Sequence, residues 1–354
     1  MTAAGKAAWW RDAVVYQIYI RSFADGNGDG IGDIAGMQSR LAHLQRLGVD
    51  AVWITPWYRS PLLDGGYDVS DYREINERFG TTAEAEAFIA SARAHGIRVL
   101  VDLVPNHTSW DHVWFRSALA APRGSSERGR YHFLDGRGDD GELPPNDWQS
   151  IFGGPAWTRV DDGQWYLHLF DESQPDVDWT HPDVADEFDS VMRFWLDRGV
   201  AGFRIDVAHG LAKEPGYPDA GLAVNDGYGR IAPLPYLDRD EIHPIVRRWR
   251  RVLDEYDDRM MVAEAWVHAS RRPMYLRPDE YHQAFDFDLL TAPWDAAAFE
   301  RIIVDSIRAA REVGSNPTWV LSNHDVVRHA TRYGLPTDVD SRAWLLDGPH
   351  DVLD

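Results

Sequence analysis

Val200-Ala201-Gly202-Phe203-Arg204-Ile205-Asp206 is the stretch on which the fold turns. An apolar run carries an arginine and, two residues on, an aspartate. Residues at i and i+2 of a strand point to one side, so Arg204 and Asp206 share a face at the strand's carboxyl end. A carboxylate beside a guanidinium is held ionised at neutral pH. At the mouth of a barrel strand such a carboxylate is a nucleophile candidate. For a lone pair, a structural ion pair is the better reading, so the flanking chain has to decide.

Outward from that stretch, strand and helix alternate. Asp183 to Arg198 reads as a helix closed by Gly199, just before the strand. After a loop from Gly210 to Asp240, a second helix (Glu241 to Tyr256) leads to the strand Met260-Met261-Val262-Ala263-Glu264. Ala284 to Asp288, a helix from Ala296 to Val313, and Thr318 to Ser322 continue the pattern. Upstream, Val14 to Ile20, Ala51 to Ile54 and Ile97 to Val104 are strands, separated by helices over Met37–Leu47 and Thr82–His95. Seven strand candidates in βα alternation predict an eight-stranded parallel βα barrel. A doubly wound sheet is the runner-up, but no glycine-rich dinucleotide fingerprint follows the first strand. Between Pro105 and Asp178 the alternation stops, and the segment is rich in Gly, Pro, Asp and Trp. It is too long for an ordinary loop, and its aromatic density argues against disorder. The expected organisation is barrel over 1–104, an inserted small domain over 105–178, and barrel again over 179–354.

Composition narrows the function. The chain has 354 residues, 44% hydrophobic and 26% charged, with 57 acidic against 36 basic residues and a net charge of −21. Nucleic acid and anionic membranes reward a basic surface, so neither is an expected partner. There is no cysteine, which excludes disulfides, thiol catalysis and zinc–thiolate sites. Met1 to Ala8 does not read as a signal peptide and no apolar stretch is long enough to span a bilayer, so a cytoplasmic protein is expected. Sixteen Trp, 14 Tyr and 13 Phe tilt the reading slightly toward a sugar ligand, whose C–H faces stack on aromatic rings.

After the first strand comes Asp25-Gly26-Asn27-Gly28-Asp29-Gly30-Ile31-Gly32-Asp33. Side-chain oxygens at every second position, with glycines between, match a loop around a hard cation. The ligands would be Asp25, Asn27, Asp29 and Asp33 with the Ile31 carbonyl, and the ion Ca²⁺ or Mg²⁺. Gly36 stands where an EF-hand has its glutamate, so the loop is not an EF-hand.

Polar residues collect at the carboxyl ends of the strands: Asp102 with His107, Arg204 with Asp206, Glu264, and His324 with Asp325. In a barrel these converge on one mouth. Like charges gathered together cost stability, which favours a chemical role over packing. His107, His209 and His324 lack the spacing of a hydrolytic metal centre. Glycoside hydrolysis needs a nucleophilic carboxylate and a carboxylic acid, ~5–5.5 Å apart in retaining enzymes, and neighbouring strands ~4.8 Å apart can supply that spacing. Glu264 sits between Ala263 and Ala265-Trp266, so desolvation should raise its pKa as an acid requires. Asp206 beside Arg204 should stay ionised.

Four separated motifs, in order, resemble the α-amylase superfamily, glycoside hydrolase family 13. They are Asp102-Leu103-Val104-Pro105-Asn106-His107, Gly202-Phe203-Arg204-Ile205-Asp206, Ala263-Glu264-Ala265-Trp266 and Leu321-Ser322-Asn323-His324-Asp325. The resemblance covers essentially the whole chain, and the insert looks like that family's domain B. It implies Asp206 as nucleophile, Glu264 as general acid/base and Asp325 as transition-state stabiliser, with Arg204, His107 and His324 contacting the sugar. Gln174-Pro175-Asp176-Val177-Asp178-Trp179 is similar to a motif of the oligo-1,6-glucosidase and α-glucosidase branch, with Asp178 in place of the usual asparagine. The resemblance also implies that the Asp25–Asp33 loop binds calcium or magnesium. Asp64 and Tyr67 would form a terminal-glucose pocket. Val207 resembles enzymes that accept α-1,6 links, although Ala208-His209-Gly210 departs from their usual continuation.

The family has an eighth strand and a C-terminal β domain, and Trp344-Leu345-Leu346 starts nothing long enough to supply another helix and strand. The sequence is therefore expected to be a fragment, weakly active or inactive alone. The leading expectation is a retaining exo-α-glucosidase acting on short α-glucosides through a covalent glucosyl-aspartate. A trehalose synthase-like isomerase or transglucosylase would use the same carboxylates. A non-catalytic barrel subunit is the remaining alternative.

Overall fold

A computed structural model describes residues 8–221, 234–336 and 339. The readings of Met1 to Ala8 and of Trp344-Leu345-Leu346 lie, except for Ala8, outside the described residues, as does the middle of the Gly210–Asp240 loop. Seven strands form one sheet: β1 Val15–Ile18, β2 Ala51–Ile54, β3 Arg98–Leu103, β4 Gly202–Ile205, β5 Met260–Ala263, β6 Gln283–Asp286 and β7 Thr318–Trp319. Their order in the sheet is their order in the chain, and every pairing is parallel. A doubly wound sheet reverses its order at a switch point. This sheet never reverses, so it is the curling wall of a βα barrel. Among the described residues β1 and β7 are not paired with each other.

The helices form where the 3.6-residue pattern and the caps place them. Helix α1 (Ile34–Leu47) is capped by the Asp33 carboxylate, which accepts from the Gly36 N–H, and stops at Gly48 in the left-handed region. Helix α2 (Thr82–Ala94) has a capping box between Thr81 and Glu84. Helix α3 (Pro182–Asp197) buries Val184, Phe188, Val191, Met192, Trp195 and Leu196 along one stripe. Among the described residues, helices α4 (Ile242–Leu253) and α5 (Ala296–Glu312) complete the set of long helices.

The side-chain period of two divides β4 between two environments. Phe203 and Ile205 join the core beneath the helices. On the other face the interior is filled by Trp53, Leu100, Ala201, Met260 and Val262, with Phe285 against them. Above that apolar plug Asp102 and Arg204 stand in register, and Ile205 is in register with Ala263, so Asp206 and Glu264 follow side by side. Gly202 makes the close β4–β5 approach possible. Its φ is 148°, and a Cβ there would lie 1.8 Å from the Met260 carbonyl oxygen.

The segment 105–178 contains its own antiparallel sheet, with Gln164–Leu167 central between Phe133–Asp135 and Trp157–Arg159. Its core of Trp148, Trp157, Leu167 and Leu169 is completed by Leu234, Tyr236 and Leu237 from the loop after β4. A buried ion pair, Lys213–Asp176 at 2.8 Å, ties the same two segments together. The sequence pattern missed the hairpin of Tyr58–Arg59 with Asp71–Ile75, which carries Asp64 and Tyr67 in its connection.

Candidate active site

Arg204 organises the floor of the site. It is 1% exposed. Its Nη1 donates to Asp102 Oδ1 at 2.9 Å and to Asp206 Oδ1 at 2.5 Å, and its Nη2 lies 3.2 Å from Glu264 Oε2. The guanidinium stacks over the rings of Trp53 and Tyr67, at 4.9 and 5.6 Å from their centroids. The Trp53 indole and the Tyr67 hydroxyl both donate to Asp102 Oδ2.

One guanidinium faces three buried carboxyls, so at neutral pH they do not all ionise together. Burial raises Asp102 to about 6, against the pull of Arg204. Burial, followed by the charges of Glu264 and Asp102, pushes Asp206 well above the carboxylate range despite Arg204. Burial also opposes charge on Glu264, but Arg204, the Val207 N–H, His209 and the Trp266 indole outweigh it and hold that carboxyl low. Both expectations from sequence, an ionised Asp206 and a raised Glu264, are therefore reversed. Beside Arg204, two donors hold the Glu264 carboxylate. Val207 N donates to Oε2 at 2.9 Å, and Trp266 Nε1 donates to Oε1 at 3.1 Å. Trp266 is more than the apolar neighbour that the sequence suggested. Val207 presents its N–H from φ 45°, a strained conformation for a β-branched residue.

Asp325 stands toward solvent, its side chain 42% exposed and 3.3 Å from His324 Nε2. Although one side of it is open, the protein surrounding its carboxyl desolvates it, and this and then the charge of Glu264 push it up to about 7. His324 is held by Gln17, whose Nε2 is 2.7 Å from Nδ1. Gln174 Nε2 donates to Asp64 Oδ2 at 2.8 Å and lies 3.2 Å from His107 Nε2. Burial pushes Asp64 up to about 6 and His107 down to about 4. Burial and then Arg204 push His324 to about 3. Both imidazoles are neutral at pH 7, suited to hydrogen-bonding uncharged hydroxyls.

Asp64, Tyr67, His107, Arg204, Asp206, Glu264, His324 and Asp325 all line one cavity of about 530 Å³. The structure thus brings together every catalytic and sugar-contact residue expected from the sequence. It also adds Tyr19, Trp266, Phe152 and Phe170 to the lining. Gln174 was visible only as part of a motif, and Gln17 carried no signal beyond strand alternation.

The Asp25–Asp33 loop is separate from this cavity. It curls as its spacing predicts, with Gly28 and Gly30 at φ 87° and 89°. Its oxygens turn onto backbone amides: Asp25 accepts from Asn27, Gly28 and Gly30, Asp29 from Ile31, and Asp33 from Gly26 and Gly36. These amide bonds hold the exposed Asp25 carboxyl below its usual range. Among the described residues, no three carboxylates or imidazoles converge into a metal-holding cluster. The donors that could hold a cation on this curl are the side chains of Asp25, Asn27, Asp29 and Asp33 and the Ile31 carbonyl.

Comparison with known proteins agrees with this geometry. The family described as "Alpha amylase, catalytic domain" matches residues 17–344. An oligo-1,6-glucosidase of Parageobacillus thermoglucosidasius is 37% identical over 341 residues, 92% of this chain and 60% of that protein. A probable alpha-glucosidase of Rhizobium meliloti is 40% identical over 365 residues, 96% of this chain and 64% of that protein. Among solved structures, the trehalulose synthase of Pseudomonas mesoacidophila MX-45 superposes with a TM-score of 0.85 at 36% identity, over 93% of this chain and 60% of that one. The chain spans about 60% of the length of such relatives. With its family match, its in-order parallel sheet and its carboxylates around Arg204, the chain belongs to the α-amylase catalytic-domain family.

Proposed function

We propose that the chain carries the catalytic site of a retaining, exo-acting α-glucosidase for short α-glucosides. The supporting observation is the pair Asp206 and Glu264, on adjacent strands and clasping adjacent nitrogens of one guanidinium. That arrangement favours the ~5–5.5 Å spacing of a retaining pair over the ~6.5–9.5 Å that accommodates a water between the carboxyls. Asp206 attacks the anomeric carbon as the glycosidic bond breaks, forming a glucosyl ester. Glu264 gives a proton to the departing oxygen, then takes one from the water that hydrolyses the ester. Asp64, His107 and His324 hold sugar hydroxyls, and Asp325 supports charge at the anomeric centre.

In this cycle Glu264 has to carry a proton and Asp206 a charge. Turning from the Val207 and Trp266 N–H groups toward the glycosidic oxygen takes from Glu264 two of the groups that favour its charged form. Arg204 is then left to Asp206, whose charge it stabilises. Hydrolysis of isomaltose, maltose, sucrose and trehalose, with Asp206→Ala as the control, tests the reading. Turnover retained in that variant contradicts it.

Transfer to a sugar acceptor is the second reading. It is supported by the likeness to a trehalulose synthase and by the apolar mouth of Phe152 and Phe170, which could shield the ester from water. Product analysis by NMR separates the two, since hydrolysis releases glucose and transfer releases a new disaccharide.

A Ca²⁺ or Mg²⁺ ion in the Asp25–Asp33 loop belongs to the same proposal, as a structural rather than a chemical group. It is supported by the curl of the loop and by its run of oxygen donors. The cytoplasm is the proposed compartment on sequence grounds; among the described residues no helix is long and apolar enough to cross a membrane.

A further inference from the structure

We propose that Gln17 is a positioning residue for His324: its side-chain amide fixes the imidazole as the Nε2–H tautomer and so directs that N–H into the sugar pocket. Two tyrosines set the plane of the ring. Tyr67 stacks on it at 5.4 Å and 7°, and Tyr19 stacks at 5.6 Å and 26°. Stacking alone leaves open both orientations related by a half-turn about the Cβ–Cγ bond, which exchange the nitrogen edges for carbon edges. The 2.7 Å contact from Gln17 Nε2 to Nδ1 removes that freedom.

An amide nitrogen only donates, so Nδ1 has to accept. In a neutral imidazole the other nitrogen then carries the proton. Burial and the charge of Arg204 keep this imidazole neutral at pH 7. The Nε2–H faces Asp325 Oδ1 at 3.3 Å and, with a sugar present, a hydroxyl in the same cavity. Gln17 lies on β1, in register with Trp53, while His324 follows β7. Among the described residues, the contact therefore spans the two edges of the sheet and links its first strand to its last.

The consequence for turnover rests on the glucosidase reading, whereas the tautomer does not. Nitrogen NMR on chain labelled with ¹⁵N-histidine reads it directly, with His324 assigned from the signals lost in His324→Asn. The wild type is expected to show an unprotonated Nδ1 and a protonated Nε2. Gln17→Glu replaces a donor by an acceptor and should move the proton to Nδ1. It should also lower kcat/KM on an aryl α-glucoside by about tenfold or more at an unchanged melting midpoint. A protonated Nδ1 in the wild type overturns the proposal whatever the variant does, and so does a Gln17→Glu tautomer equal to the wild type's.

Discussion

Arg204 sets the electrostatics of the site residue by residue, because Asp102, Asp206 and Glu264 all depend on one buried cation. Arg204→Met should lower stability at pH 7 by about 3–5 kcal/mol, read by chemical denaturation, since it leaves buried carboxyls uncompensated. Asp206→Asn should lower kcat/KM by about 10⁴-fold or more without lowering the melting midpoint, because it removes one of the mutually repelling carboxyls. Asp64 gives a prediction with a definite sign. Its folded pKa of about 6 lies above the ordinary value of 3.8, so the folded state holds its proton longer than the unfolded one. Stability is then lost as pH rises from about 4 to 6 and stays lost above. Asp64→Asn should raise the melting midpoint at pH 8, leave it unchanged near pH 3, and weaken substrate binding.

The same residues show what a sequence conveys. Arg204 and Asp206 were readable because a two-residue period puts them on one face of a strand. Glu264 was readable as a partner but not in its protonation. Its sequence neighbours are apolar, while the groups that set its charge come from Val207, on another strand's end, and from an indole counted as apolar. Gln17 was unreadable because its partner lies 307 residues away.

At the scale of elements, the strands and long helices were legible to within a few residues, since periodicity and end signals mark them: Thr81 and Glu84 open α2, and glycines follow α1 and α3. The Tyr58–Arg59 hairpin was hidden because its strands are short and irregular, with a register shift between them. Gly202 carries the tightest strand contact. Gly202→Ala should destabilise the fold by about 3 kcal/mol or more in urea denaturation, through both the positive φ and the Met260 carbonyl. Asp33 joins two roles, as cap of α1 and as proposed cation ligand. Ca²⁺ should raise the melting midpoint of the wild type, and Asp25→Ala should abolish that rise. Asp33→Ala should abolish it too and further lower the metal-free stability by about 1 kcal/mol. No response of the wild type to Ca²⁺ or Mg²⁺ contradicts a cation in this loop.

At the scale of the molecule, the barrel wall brings side chains from the ends of β3, β4 and β5 and from the loop after β7 into one cavity. The insert and the loop after β4 close its side through the shared core of Trp148, Leu167 and Tyr236. The barrel class was predictable from the βα alternation. The dependence of the insert's core on Leu234 and Tyr236 was not, because nothing local marks that contact. The proposed role of Asp206 is to supply the carboxylate oxygen of a covalent glucosyl ester. Treatment with a fluorinated glucosyl fluoride, followed by peptide mass spectrometry, tests it most directly. One added glucosyl group per chain is expected, carried by the peptide containing Asp206 and absent in Asp206→Asn. A label on any other residue, or none on a chain that still hydrolyses α-glucosides, would contradict it.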